Sequence, residues 1–315
     1  MNGASTTVVL PLGDGYRYEF DDSGQDPEAI RLWATGAIPF DGLNPGQGAA
    51  RAELRKRLNS LTAGPGEILV ANFTGPKAAN ADIENIVLYN IGGACFTASM
   101  QHGVRFEYAG GPVLPSPSEH SFPCAYEYGL NALNEPLRHW KRRKRLAQFR
   151  KVDLGPPGSP KALVQVWRAV RRANTMVIEQ RMTRSAPFGM FLRVGRPTGD
   201  PKRLTPALVK SLVDGTVSAL QAHGDQNTVD EMAARLAKQV DMRAEQIAAM
   251  LVDTSNVVLG SVWHLVHRFR KEGVQWNPSD QLCVAGEVLL EVADGPDWQL
   301  SGEVWELMPS ALTPA

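Results

Sequence analysis

The sequence predicts an α+β fold, in which a mixed sheet or sheets pack against helices, with two domains and a C-terminal β-hairpin. Segments rich in branched and aromatic residues indicate strands, and amphipathic segments indicate helices. The two kinds do not alternate regularly, as they would in a parallel α/β fold. With 315 residues, 43% of them hydrophobic and 21% charged, the chain can bury one large core or two smaller ones.

The first half of the chain carries most of the predicted strands. Branched and aromatic content predicts strands at residues 7–12, 16–20, 67–73, 83–91 and 104–108. One helix is predicted at residues 27–35, because Asp26 can cap it and Pro27 fits its first turn. A second helix is predicted at residues 49–61.

The second half begins with an amphipathic helix predicted at residues 161–174. Its apolar face holds Leu163, Val166, Trp167 and Val170, so its arginines point mostly to solvent. The remaining predictions are helices at 205–222, 229–239 and 243–252, a short strand at 190–194, and a hairpin of residues 282–293 and 298–307 around the turn 294–297.

A stretch rich in proline and glycine at residues 154–160 predicts a domain boundary. It would separate an N-terminal domain, residues 1–153, from a C-terminal domain with a helical middle, residues 161–315.

Several functional classes lack their sequence signatures. The chain has no phosphate-binding loop, no dinucleotide-binding glycine pattern, no nucleophile elbow and no H-E-x-x-H motif. We therefore expect no cofactor, and a non-catalytic protein is favoured. No apolar stretch is long enough to span a membrane or to form a signal peptide. Three widely spaced cysteines are typical of reduced thiols, so a cytoplasmic protein without membrane contact is expected.

The distribution of charge is the most informative feature of the sequence. The chain has 33 basic and 33 acidic residues. Residues 138–203, however, hold 18 of the basic residues and only three acidic ones. Such an excess of positive charge within about a fifth of the chain indicates binding to a polyanion.

This basic segment predicts a non-catalytic nucleic-acid-binding protein, a subunit of a nucleoprotein complex that grips the phosphate backbone. Arginine suits bidentate phosphate contact, and aromatic residues among the cations suit stacking on bases, which favours RNA or single-stranded DNA as the partner. The predicted nucleic-acid-binding residues are Arg138, Trp140, Lys141, Arg142, Arg143, Lys144, Arg145, Arg150, Arg168, Arg171, Arg172, Arg193 and Arg196. Phe149 and Trp167 are further candidates for stacking.

A metal-dependent nuclease is the first alternative. If residues 83–91 form a strand, Asp82 and Glu84 point to the same side and could hold Mg²⁺. The stretch 82–85 resembles the D-x-D-N stretch of phage-type Holliday-junction resolvases. That pattern continues with a lysine and an aspartate where this chain has Leu88 and Gly92, so the resemblance implies no activity.

A structural subunit is the second alternative. The basic segment would then contact an acidic protein partner or an acidic end of another copy of the chain. Complex formation that survives nuclease treatment would favour this alternative over nucleic-acid binding.

Overall fold

A large mixed sheet and five α-helices make up the regular part of the protein in a computed structural model. The structure describes residues 8–9, 15–21, 29–76, 82–157, 162–174, 176–179, 181–183, 185–293 and 295–310, and every structural statement below concerns these residues. The predicted α+β class is confirmed.

The helices are α1 (Pro45–Leu58), α2 (Ala162–Arg171), α3 (Pro206–Ala219), α4 (Val229–Ala237) and α5 (Ala244–Val252). A π-helical turn covers Asn85–Tyr89, and a 3₁₀ turn covers Ala94–Phe96.

The strands are β1 (Val8–Val9), β2 (Tyr18–Phe20), β3 (Ile30–Ala34), β4 (Glu67–Thr74), β5 (Gly103–Ala109), β6 (Cys124–Ala132), β7 (Trp140–Asp153), β8 (Val177–Ile178), β9 (Phe188–Arg196), β10 (Ala222–His223), β11 (Ser261–Val262), β12 (Val266–Phe269), β13 (Gly273–Trp276), β14 (Cys283–Val292) and β15 (Gln299–Pro309).

Eleven of the described strands form one sheet in the order β1-β2-β3-β6-β4-β5-β14-β9-β15-β7-β8. The pairs β4–β5 and β14–β9 are parallel, and the other pairs are antiparallel. Two further pairs, β10–β11 and β12–β13, lie outside this sheet.

The predicted C-terminal hairpin is wrong in its pairing. Both of its strands exist, as β14 and β15, but β9 lies between them and pairs with each. The two strands run in opposite directions, but opposite directions do not require that they be neighbours. Within this sheet, strands from before and after the predicted boundary at residues 154–160 lie side by side, since β14 also pairs with β5.

Two predicted elements take a different structure. Residues 30–34, placed in a helix by the capping pattern, form β3 between β2 and β6, where Leu32 and Ala34 are fully buried. Residues 83–91, predicted as a strand, are helical through Tyr89. A short apolar run does not distinguish a strand from a buried helical turn, so the contacts of the folded chain decide. Strands β6 and β7 were not predicted.

The two faces of the sheet differ in polarity. On β5, Val104 and Phe106 join the main hydrophobic core, to which α1, α2 and α3 also contribute. Arg105 and Glu107 alternate with them and lie on the opposite face. There the Arg105 guanidinium pairs with Glu287 on β14, Nη2 to Oε2 at 2.5 Å. Pairing satisfies a charge that burial would otherwise penalise.

Helices α2 and α3 approach each other closely at Gly215. A methyl group at this position would lie 2.7 Å from Cβ of Val166 and 2.8 Å from the carbonyl oxygen of Leu163. The absence of a side chain therefore sets the distance between the two helices.

Substituting Gly215→Ala should lower the free energy of unfolding by about 1–3 kcal/mol, because the new methyl group forces α2 and α3 apart. Urea unfolding measures this change. Gly48→Ala in α1 is the matched control, since a methyl group there would have no neighbouring atom within 4 Å. That control should be neutral or stabilising by up to about 1 kcal/mol. Equal stability of the two variants would contradict the close approach.

The described residues include no helix that is long and apolar enough to cross a membrane. Cys95, Cys124 and Cys283 are buried free thiols.

Candidate functional site

The basic run around residue 140 forms part of β7, a fourteen-residue strand that pairs with β15. This pairing places acidic side chains of β15 beside the cations. Arg143 Nη1 lies 2.8 Å from Glu306 Oε1, and Lys144 Nζ lies 3.3 Å from Glu306 Oε2. Glu306 is fully buried, so this carboxylate depends on the two cations and on Thr183 N, which also donates to it.

On the opposite face of β7, Arg142 and Arg145 share Glu303. Their nitrogens lie 3.9 Å and 3.2 Å, respectively, from its carboxylate oxygens. Arg145 Nη2 also lies 2.5 Å from Glu179, and Arg142 stacks on the ring of Phe191 at 3.8 Å. Much of the positive charge of the run is therefore balanced by carboxylates of the same chain.

Other predicted binding residues also have partners within the chain. Arg138 pairs with Glu127 at 3.1 Å, and Arg193 pairs with Glu291 at 2.5 Å. Arg171 is buried and donates to the carbonyl oxygens of Gln221 and Asp253. Burial lowers the pKa of Arg171 to about 10, against the opposing effect of Asp253.

The aromatic residues of the basic segment do not offer open rings for base stacking. Trp140 is buried, and its indole Nε1 donates to the carbonyl oxygen of Tyr108 at 2.7 Å. Phe149 and Trp167 are also buried in the core. The expectation that these rings stack on bases is wrong. They alternate with charged residues because they lie on the sides of β7 and α2 that face the protein interior.

The remaining predicted residues are spread over several elements, although Arg150 lines one cavity with Arg142 and Arg193. Lys141 and Arg150 are exposed on β7, and Arg168 and Arg172 lie on or just after α2. Arg196 donates to the carbonyl oxygen of Lys202. The structure thus places the thirteen residues on both faces of β7 and just before it, on β9, and around α2. Binding of nucleic acid through these cations stays a prediction.

A different site emerges around Asp82 and Glu84, the residues of the nuclease alternative. Four buried carboxylates, which we call the acidic cluster, meet beside one lysine. They come from three distant parts of the chain: Asp82, Glu84, Asp214 and Asp280. Sequence reasoning identified only the first two as possible metal ligands of a nuclease.

Asp82 and Glu84 begin the helical segment that contains the π-helical turn. The side-chain nitrogen of Asn85 donates to Asp82 Oδ2 at 2.8 Å and fixes that carboxylate. Ile86, Val87 and Leu88 are buried behind it and anchor the turn in the core. Helical geometry, rather than the alternation of a strand, thus presents the two carboxylates.

Helix α3 supplies Lys210 and Asp214, one turn apart. Thr205 caps this helix by accepting from Leu208 N. Lys210 Nζ lies 3.0 Å from Asp214 Oδ2 and 3.7 Å from Glu84 Oε1. The spacing of four residues on a predicted helix was the available sequence signal for this pair, but nothing in the sequence connected it to residue 84.

Asp280 enters from the loop between β13 and β14. The carbonyl oxygen of Asp280 accepts from Cys283 N at 2.7 Å, and the Gln221 side chain bonds both backbone groups of Ser279. These bonds hold the loop against the core.

The acidic cluster has the geometry and chemistry of a cation site. One carboxylate oxygen from each of Asp82, Glu84 and Asp280 lies within 4.8 Å of the others. Opposite ligands of an octahedral Mg²⁺ ion are about 4.2 Å apart, so small side-chain rotations would let these three oxygens share one ion, with water filling the remaining positions. Oxygen-only ligands favour Mg²⁺, Mn²⁺ or Ca²⁺.

The environment of Glu84 is a second observation, independent of the distances between the carboxylates, that indicates a bound ligand. Its residue is 1% exposed, yet neither carboxylate oxygen accepts a hydrogen bond from any described residue. One oxygen each of Asp82 and Asp214 is likewise buried without a donor. A buried carboxylate without donors is costly unless a cation or protons neutralise it.

The same crowding shifts the proton affinities of the cluster. Burial, together with Asp214 and Asp82, raises the pKa of Glu84 to about 8 against the opposing effect of Lys210. Burial, with a hydrogen bond to Asp82, raises the pKa of Asp280 to about 10. Burial also raises the pKa of Asp214. Without a metal ion, protons therefore compensate part of the negative charge.

A cavity of about 350 Å³ adjoins the acidic cluster and gives it access to a ligand. Its lining includes Asp82, Lys210, Asp214, Trp276 and Asp280. The indole Nε1 of Trp276 is buried and has no acceptor among the described residues. The cavity thus offers cation ligands together with an ammonium group.

Comparisons with protein-family models, with curated proteins and with solved structures found no match to this chain.

Proposed function

We propose that this chain is a divalent-cation-dependent nuclease whose metal ion is held by Asp82, Glu84 and Asp280. The observation that carries the proposal is the buried carboxylate of Glu84, which has no hydrogen-bond donor and lies within ligand distance of two more carboxylates. A bound Mg²⁺ or Mn²⁺ would satisfy these oxygens and neutralise their charge.

The groups beside the cation suit a phosphodiester. A metal ion polarises a phosphate oxygen and orients a water molecule for attack on phosphorus. Lys210, paired with Asp214, supplies a positive charge for an anionic oxygen at the same cavity.

Hydrolysis at this site needs only water as a co-reactant. The water oxygen bonds to phosphorus, and the bond from phosphorus to the leaving sugar oxygen breaks. One proton of the water ends on the leaving oxygen and the phosphomonoester keeps the hydroxyl group, so atoms and charge balance.

Asp82→Asn should abolish Mg²⁺- or Mn²⁺-dependent cleavage of oligonucleotides and weaken Mn²⁺ binding, because it removes one charged ligand. Gel-based cleavage and calorimetric titration with Mn²⁺ measure the two effects. Asp241→Asn, which changes an exposed aspartate between α4 and α5, is the matched control and should behave as the parent protein. Undiminished cleavage by the Asp82 variant would remove this residue from the site.

Nucleic-acid binding by the basic segment is a second proposal, favoured by one feature of the sheet. A cavity of about 500 Å³ on β7, β9 and β15 is lined by Arg142, Arg150, Lys151 and Arg193, with only Glu287 and Glu303 as carboxylates. Affinity at such a surface should fall steeply with salt through counterion release. Replacing Arg150, Lys151 and Arg193 of this cavity by alanine should reduce both the affinity and the salt slope in a binding titration.

A further inference from the structure

Phe40 is an exposed aromatic residue with a defined position. Phe40 is 55% exposed. Its ring stacks on the ring of Tyr89, with the centroids 4.9 Å apart and an angle of 16° between the planes. In such a stacked pair one face of Phe40 contacts Tyr89, and the opposite face is directed away from it.

The backbone around Phe40 is fixed by hydrogen bonds from three other parts of the chain. Arg51 Nη1 in α1 donates to the carbonyl oxygens of Phe40 and Asn90, at 3.0 and 3.3 Å. Ile38 accepts from the Asn90 side chain, and its amide donates to the Tyr126 hydroxyl at 2.8 Å. The ring is therefore presented by a pinned segment, which lowers the entropy lost when a ligand stacks on it.

Tyr89 connects this ring to the acidic cluster. It ends the helical segment that begins with Asp82 and Glu84. Lys210 Nζ lies 5.9 Å from the centroid of the Tyr89 ring, and the same ammonium group contacts both Glu84 and Asp214. The stacked pair and the proposed metal ligands are thus separated by one side chain.

Cations accompany the aromatic pair. Arg51 donates to the carbonyl oxygen of Phe40, and Arg55, one turn later on α1, donates to the carbonyl oxygen of Ile91, two residues after Tyr89. Lys210 lies near the Tyr89 ring. Proteins that bind single strands combine positive charge that follows the backbone with aromatic rings on which bases stack.

We propose that Phe40, supported by Tyr89, is a stacking platform for an unpaired base of a single-stranded nucleic acid. The strand passes Lys210 and brings a phosphodiester to the acidic cluster. This inference rests on the proposed nuclease function. It selects single strands because a base inside a duplex is already stacked on its neighbours and cannot lie on the Phe40 ring.

The test is fluorescence anisotropy of a labelled oligothymidylate with the full chain, in chelator so that no cleavage occurs. Phe40→Ala should weaken binding about tenfold, because stacking on an aromatic side chain contributes strongly for each base. Phe40→Trp should keep or improve the affinity. Phe269→Ala, which removes an exposed ring on β12, is the matched control and should leave the affinity unchanged.

A duplex of the same length and an RNA oligonucleotide of the same sequence complete the experiment. The duplex should bind more weakly than the single strand and should be insensitive to Phe40→Ala. Comparing the RNA with the DNA oligonucleotide shows whether the site prefers ribose or deoxyribose. Weaker binding of either single strand by Phe40→Ala supports the platform. Unchanged affinity of the folded Phe40→Ala variant for both strands overturns it, as does an equal loss with Phe269→Ala.

The outcomes separate this inference from the proposed function. Phe40→Ala should bind Mn²⁺ as tightly as the parent chain, because the proposed metal ligands are Asp82, Glu84 and Asp280. Asp82→Asn should bind Mn²⁺ more weakly and lose cleavage but still bind the oligonucleotide in chelator. If Phe40→Ala leaves oligonucleotide binding unchanged and the parent chain still shows metal-dependent cleavage, only the stacking platform is overturned.

Discussion

Substituting Glu84→Gln should stabilise the cation-free chain while weakening its affinity for Mn²⁺ by more than about 100-fold. Glutamine keeps the shape of the side chain but carries no charge. It removes the repulsion from Asp82 and Asp214 and the cost of burying a carboxylate that has no donor. A gain of about 1–3 kcal/mol in the free energy of unfolding is expected at neutral to alkaline pH.

Urea unfolding in chelator and calorimetric titration with Mn²⁺ measure the two effects of this substitution. Glu19→Gln is the matched control, since Glu19 is also fully buried but accepts hydrogen bonds from Ser116 Oγ at 2.7 Å and Ser118 N at 2.9 Å. That substitution should destabilise, because a satisfied acceptor is lost. If both variants lose stability alike, the carboxylate of Glu84 has a structural role and no metal site needs to be invoked.

The stability of the chain should fall with rising pH without the cation and become nearly independent of pH with the cation bound. Glu84 has its pKa raised to about 8 by burial and neighbouring carboxylates, and Asp280 has its pKa raised to about 10. For an acid with a raised pKa in the folded state, the folded chain binds more protons than the unfolded chain. Stability in chelator therefore falls as the pH rises from the ordinary carboxyl pKa towards these values.

A bound cation replaces the protons and reverses this loss. Metal affinity should increase with pH, since protons compete for the same oxygens. The rise in melting temperature caused by saturating MnCl₂ should therefore be larger at about pH 8.5 than at about pH 6. Asp82→Asn should abolish the difference. A cation effect that is independent of pH would show that the ion binds elsewhere.

The parts of the fold that could be predicted are those in which local pattern and tertiary environment agree. Strand β4 was predicted near its observed position from its branched and aromatic residues, and helices α3, α4 and α5 from apolar residues at helical spacing. Segment β3 was predicted as a helix from Asp26 and Pro27. A capping pattern is only a local preference, and pairing with β2 and β6 outweighs it.

Strand β7 shows why the charge of a segment is not enough to predict a binding surface. Composition reveals how many cations a segment carries, but not which carboxylates the sheet places beside them. Glu303 and Glu306 lie more than 150 residues later in the chain and reach the cations only because β15 pairs with β7. The acidic cluster has the same origin, since Lys210, Asp214 and Asp280 join Asp82 and Glu84 only in the folded chain.

The position of β14 between β5 and β9 has a consequence for synthesis on the ribosome. Ala285 of β14 pairs with Glu107 of β5. After β5 is synthesised, the nascent chain must therefore grow by well over a hundred residues before β14 can pair with the edge of β5. Until then, β5 presents unpaired backbone groups to other strands, a recognised route to aggregation. Such distant pairing also predicts slow folding, and recombinant production should benefit from slower translation or from added chaperones.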